Sequence, residues 1–280
     1  MVSDGARIDI LIRIAPGRSP IAENIGSFVF QHSLERSLIR IENVADFEVA
    51  KGREIRVWPA ARSRQKDVEI YLFGPAWATL CHQRRILPLH ASAVVVGRGI
   101  IAFAGQSGTG KSSVAASMSS LDYKLVADDM LPISFDQNLV PGAWPYLRRL
   151  KLKSDVIGEL ELTAIESVGE TLDRTKYIVL PKYSAEDEWR KLDRVYLLEM
   201  DPTEPRVAID QLSGADAVCA LVDQTYHFNF ILGTRRFGDH LAFCTRLASK
   251  ILIYRLHRSA IGDAGKKLST LIFAHLECGA

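Results

Sequence analysis

Apolar and polar residues alternate over short stretches near the start of the chain. Ile8-Asp9-Ile10-Leu11-Ile12-Arg13-Ile14, Glu54-Ile55-Arg56-Val57-Trp58 and the segment from Val68 to Phe73 carry the two-residue period of half-buried strands. Pro16-Gly17, Pro20, Lys51-Gly52 and Gly74-Pro75 supply turn material between them. The pattern predicts a small β-rich unit over residues 1–75, with no chemistry-bearing cluster of its own. A helix over Ala76–Arg85 would lead into a second part, residues 76–280.

That second part alternates strands and helices, which predicts an α/β domain with a mixed sheet. Ser92-Ala93-Val94-Val95-Val96 and Ile100-Ile101-Ala102-Phe103-Ala104 flank Gly97-Arg98-Gly99, a hairpin signal. Ser112–Ser120 reads as a helix, and Leu125-Val126-Ala127 as a short buried strand that ends in Asp128-Asp129. Val195–Leu198 reads as another buried strand, bounded by Asp201-Pro202. Ser213 and Asp216 have capping-box spacing for a helix running to about Val222. Helices over 239–250 and 261–275 would flank a strand at Ile251–Tyr254.

Between the second hairpin strand and the helix stands Gly105-Gln106-Ser107-Gly108-Thr109-Gly110-Lys111-Ser112, which fits G-x-x-x-x-G-K-[ST] at every fixed position. Glycines let a backbone curl until successive N–H groups point inward at phosphate oxygens, and the following helix adds its positive end. Lys111 would reach the β- and γ-phosphates, and the Ser112 hydroxyl would help hold Mg²⁺. The bland alternative is a glycine-rich turn. The apolar strand before the loop and the helix after it favour the phosphate cradle. Phosphoryl transfer also needs a group facing the nucleophile, and Asp128 and Asp129 stand at a strand end of the kind where α/β sheets place ligands. Neighbouring carboxylates on an extended chain point in different directions, so one can face the metal and the other the acceptor. A solvated turn is the alternative for that pair.

The remaining candidates read more plainly. Arg148, Arg149, Lys151 and Lys153 form a basic cluster behind Trp144 and Tyr146. Alternation with Leu150 and Leu152 makes a strand with one solvated basic face the leading reading, ahead of a contact to donor phosphates. Arg235-Arg236 fits a loop or a transition-state clamp, and Lys176 and His227 read as structural. Cys81, Cys219, Cys244 and Cys278 have no metal or redox spacing and read as buried thiols.

Composition narrows the partners. Hydrophobic residues make up 48% and charged residues 24%, as in an ordinary globular chain. With 35 basic and 33 acidic residues and a net charge of +2, nothing argues for nucleic acid or an anionic membrane as partner. The start, MVSDGARIDI, lacks the basic and apolar regions of a signal peptide, and no apolar run approaches the ~20 residues of a membrane span. A cytoplasmic protein is expected, and a homo-oligomer stays open.

His90, in Leu87-Pro88-Leu89-His90-Ala91-Ser92, joins the site through resemblance. His90, the loop after a Val/Ile-rich hairpin and Leu125-Val126-Ala127-Asp128-Asp129 together resemble the HPr kinase/phosphorylase family over residues 86–135. The resemblance implies a P-loop kinase fold of the HPr kinase/phosphoenolpyruvate carboxykinase type. It implies ATP and Mg²⁺ as cofactors, Asp129 as base toward an acceptor serine, Asp128 near the metal, and His90 close by. The family's R-G-x-G-I-like segment has no counterpart in Trp144–Lys153, which argues against HPr as acceptor and against the reverse reaction. The chain looks more like stand-alone relatives of that family, some of which phosphorylate lasso-peptide precursors. The expected function is therefore an ATP-dependent serine kinase acting on a peptide or protein. A small-molecule kinase and a nucleotide-sensing module are the alternatives.

Overall fold

The computed structural model describes residues 9–21, 26, 28–168, 175–200, 208–258 and 264–278. From its start the chain forms β1 (Leu11–Ile14), β2 (Phe28–Gln31), β3 (Arg36–Ile41), β4 (Ala45–Ala50) and β5 (Glu54–Pro59). Next come α1 (Gln65–Tyr71), a π-helical turn over Leu72–Ala76, α2 (Trp77–Gln83) and β6 (Leu87–Leu89). The hairpin strands β7 (Ala91–Val96) and β8 (Gly99–Ala104) precede α3 (Lys111–Ser120), β9 (Leu125–Ala127), β10 (Leu131–Phe135), β11 (Pro141–Ala143) and β12 (Leu150–Leu152). Then follow α4 (Ser154–Glu159), β13 (Ala164–Val168), β14 (Lys176–Val179), β15 (Arg190–Met200) and β16 (Ala208–Leu212). The last described elements are α5 (Gly214–Asp223), α6 (Asn229–Thr234), α7 (Phe237–Ala248), β17 (Leu252–Arg258) and α8 (Ala264–Cys278).

Contacts divide the chain into two units, Met1–Pro88 with Tyr226–His240, and Leu89–Thr225 with Leu241–Ala280. The boundary expected at residue 75 therefore moves to Pro88, and a distant segment joins the N-terminal unit. Its sheet runs β1-β5-β4-β3-β2, with β1 parallel to β5 and the other pairs antiparallel. The strand expected at Val68–Phe73 is a helix instead. Leu72, Ala76 and Leu80 recur every four residues and bury one helical face against Ile39, Phe47, Val49 and Ile55 of the sheet. Over six residues the alternation of Val68, Ile70 and Leu72 fits a strand equally well, and only the sheet underneath decides the period. That packing also carries the unit past Gly74-Pro75, because Pro75 sits within the π-helical turn rather than ending it.

The C-terminal unit holds a mixed sheet in which β10, β11, β15, β8, β7 and β9 are successive neighbours, with β17 on β15 and β16 on β17. The predicted hairpin is present, with Ala91 opposite Ala104 and Val96 opposite Gly99. Phe103, Val114, Met118, Leu125, Tyr196 and Leu256 form its core, against which α8 packs through Leu268 and Ile272. A smaller sheet, β12-β14-β13, adjoins it. The helix expected after Ser213 is α5, although the Ser213 side chain makes no capping bond. The expectations at Ile8, Asp201-Pro202 and 261–263 lie outside the described residues. Cys81 and Cys244 are buried, and burial pushes both thiols up to about 12, whereas Cys219 is exposed. Among the described residues no helix is long and apolar enough to cross a membrane.

Histidines gather inside the N-terminal unit. His82 stacks on Phe230 at 5.1 Å and lies 2.9 Å from the Tyr226 carbonyl through Nε2. His32 tilts against the same ring at 5.2 Å, and Phe30 meets His227 at 5.3 Å. Burial, reinforced for His32 and His82 by neighbouring histidines, lowers His32, His82 and His227 to about 4 from 6.5. Such a histidine takes up its proton at lower pH when folded than when unfolded. Its contribution to stability is therefore intact above about pH 7 and is lost as pH falls from 6.5 toward 4. Urea unfolding should show a loss of about 2 kcal/mol or more between pH 7.5 and pH 5. Equal urea midpoints at the two pH values would refute the neutral cluster.

Candidate functional site

Strand direction brings the candidate residues to one edge of the C-terminal sheet. β8, β15 and β17 are mutually parallel. β7 is antiparallel to both β8 and β9, so β9 runs the same way as β8. The ends of β8 and β9 and the start of β7 therefore share an edge, and they lead into Gly105, Asp128 and His90 respectively. This is the side of an α/β sheet where ligands collect, beyond the carboxyl ends of parallel strands.

The loop between β8 and α3 has the backbone its sequence demands. Gly105, Gly108 and Gly110 have φ of +141°, +91° and +101°, a region that residues with a Cβ rarely adopt. A Cβ on Gly105 would also lie 2.5 Å from the Leu198 carbonyl oxygen and 2.9 Å from Thr109 Oγ1. Lys111 is buried and folds back over the loop, where its Nζ donates to the carbonyls of Gly105 at 2.8 Å and Gln106 at 3.0 Å. Thr109 Oγ1 donates to Gln106 O at 2.8 Å and closes the turn. Ser107 stands at its exposed rim.

The two aspartates go separate ways. Asp128 is buried and accepts three hydrogen bonds: Ser92 Oγ at 2.6 Å, Ser112 Oγ at 2.8 Å, and the Lys151 backbone N–H at 2.8 Å. Asp129 takes a left-handed φ of +74°, which turns its carboxylate outward. Its Oδ2 accepts from Lys151 Nζ at 2.9 Å, and its Oδ1 lies 3.7 Å from His90 Nε2. A plain solvated turn does not describe this pair.

Burial raises the Asp128 carboxyl, an effect its donors only partly offset. Burial works the same way on Asp129, but Lys151, with His90 and Lys176, outweighs it and the net shift is downward. Lys111 falls to about 8 through burial, with both aspartates pulling against that change. His90 falls to about 4 through burial and the nearby Lys111, so it is neutral at pH 7. Lys176 lies close enough to act electrostatically on His90, Lys111 and Asp129.

Sequence reasoning thus undervalued Lys151 and Lys176 and passed over Ser92. The alternation around Lys151 is present as predicted, with Leu150 and Leu152 in the core, but the polar face of that strand looks onto the aspartates rather than bulk solvent. Arg148 bonds to the Ala185 carbonyl and Asp187, and Lys153 is exposed, so the rest of the basic cluster divides. Arg235, Arg236 and His227 belong to the N-terminal unit, where Arg236 pairs with Asp239.

A cavity of about 830 Å³ opens beside the loop, bordered by His90, Gln106, Thr109, Glu199, Gln224 and Arg255 among others. The donor set at Ser112 and Asp128 is oxygen alone, which suits a hard cation such as Mg²⁺ that keeps most of its shell as water and phosphate. Among the described residues no group of three or more His, Cys, Asp or Glu side chains is arranged to hold a metal unaided.

No protein-family model matches the sequence, and no curated protein matches it. Among solved structures, the chain is similar to the Hpr(Ser) kinase/phosphatase from Coxiella burnetii, at 12% identity and a TM-score of 0.34, over 69% of this chain and 99% of that one. Nothing about the chemistry of this chain follows from a likeness that small.

Gly105→Ala tests the cradle. The close contact is to a backbone carbonyl, which cannot step aside as a flexible side chain would. The variant should lose about 2–4 kcal/mol of stability in thermal or urea unfolding. Wild-type stability in this variant would mean that the loop does not hold the conformation described.

Proposed function

We propose that this protein is an ATP-dependent phosphotransferase that moves the γ-phosphoryl group to a hydroxyl, most specifically a serine on a peptide or protein. The observation that carries the reading is the hydrogen bond between Ser112 of the glycine loop and Asp128, one residue before Asp129. A phosphate cradle is joined there to a carboxylate pair, and a pure binding module has no use for the outward carboxylate. The sequence resemblance to HPr kinases supports the same reading and suggests the serine acceptor.

The loop N–H groups and the end of α3 would hold the triphosphate, with Lys111 leaving its carbonyl partners for the β- and γ-phosphates. Ser112 and, through water, Asp128 would hold Mg²⁺, which when bound neutralises charge on the transferring group. Asp129, turned outward and ionised, accepts the proton of the acceptor hydroxyl. As that proton leaves, the acceptor oxygen bonds to the γ-phosphorus, the bond from the γ-phosphorus to the bridging oxygen breaks, and ADP departs. His90, neutral and beside Asp129, borders the cavity by which the acceptor would approach.

Incubation with γ-labelled ATP, Mg²⁺ and a serine-containing peptide library, read by mass spectrometry, should yield phosphopeptides. Lys111→Ala should abolish transfer and weaken ATP binding. Asp129→Asn should keep Mg·ATP affinity within several-fold and lower transfer by roughly 10²-fold or more. Transfer at the wild-type rate by either variant would overturn the assignment.

A further inference from the structure

Lys151 meets both aspartates at once, through different atoms. Its backbone N–H donates to Asp128 Oδ2 at 2.8 Å, and its side-chain ammonium donates to Asp129 Oδ2 at 2.9 Å. The backbone bond is available because β12 is an edge strand of its small sheet, paired among the described strands with β14 alone. Leu150 and Leu152 on either side are 1% and 2% exposed in the core. A strand pinned at both flanking positions can present its middle side chain in only one direction. Lys151 is thus held more firmly than a surface lysine, and its own side chain is 22% exposed.

From this geometry we infer that Lys151 is the positioning residue of the site, fixing the outward turn of Asp129 relative to the buried Asp128. Asp129 occupies a left-handed conformation at φ +74°, which costs an Asp little but is not one it settles into unaided. The ammonium is the partner that fixes the carboxylate there. One carboxylate oxygen is then engaged with Lys151, and the other, on the His90 side, stays available to an acceptor hydroxyl. Lys151 acts through Asp129 and not on the phosphates, which fall to Lys111.

The inference rests on the phosphotransfer reading, and a double-variant cycle separates the two. Lys151→Met should lower the transfer rate constant roughly 10- to 100-fold, the range for a residue orienting a reacting side chain, with Mg·ATP affinity by calorimetry changed no more than several-fold. Lys151→Arg, which keeps the cation, should recover part of that loss. In an Asp129→Asn background the added Lys151→Met should cost almost nothing, because the group it orients is gone. Circular dichroism and melting curves establish that each variant is folded. Independent, multiplicative losses in the double variant would overturn the positioning role, as would a large loss of Mg·ATP affinity in Lys151→Met alone. If wild-type protein transfers no phosphate to any hydroxyl, the broader reading fails instead.

Discussion

A carboxylate taken out of water needs donors, and Asp128 has collected three from separate parts of the C-terminal unit. Ser92 comes from the start of β7, Ser112 from the first turn of α3, and the Lys151 N–H from the edge of β12. Each bond to a charged acceptor is worth on the order of 1.5–3 kcal/mol. The arrangement of the site follows from this one group. It sets where α3 begins relative to the end of β9, and so where the glycine loop stands. It draws β12 up to the sheet edge, and with β12 comes the only lysine bonded to Asp129 among the described contacts. Because the next residue must leave the buried position and turn back toward solvent, the left-handed conformation of Asp129 is also a consequence.

Much of this was legible in the residues, and the reasons for the rest are physical. The hairpin, the loop, α3, β9 and the aspartate pair could be read because each is local. Glycines at fixed spacing demand one backbone, and Val/Ile runs around Gly97-Arg98-Gly99 demand one pairing. Val68–Phe73 reads as a strand yet folds as helix, because six residues do not separate a two-residue period from a helical one. The sheet beneath Leu72, Ala76 and Leu80 makes the choice. The return of Tyr226–His240 to the N-terminal unit has no local signature at all, since contacts such as His82 with Phe230 join residues far apart in the chain. Lys151 lies between these cases. Its alternation with two leucines correctly gave a strand, but which surface the polar face meets depends on the position of Asp128.

The adjacent aspartates show how little sequence separation two different environments require. Identical side chains one residue apart are shifted in opposite directions, Asp128 upward by burial and Asp129, in spite of burial, downward by Lys151 and the other basic groups around it. The carboxylate lowered by a neighbouring cation is the one that stays ionised, and here it is Asp129, on the outward side. The cations around them point the same way. Lys111, Lys151 and Lys176 exceed in number the two carboxylates they surround, and Lys111, buried and lowered to about 8, is reduced to bonding its own loop carbonyls. Backbone carbonyls are weaker partners for an ammonium than phosphate oxygens, whose bonds to it are charge-assisted on both sides. A site with this balance gains most from a ligand that is strongly anionic where Lys111 can reach it and carries an uncharged hydroxyl where Asp129 faces out. Under the proposed phosphotransfer, a phosphoryl donor and an alcohol acceptor would divide those requirements between them.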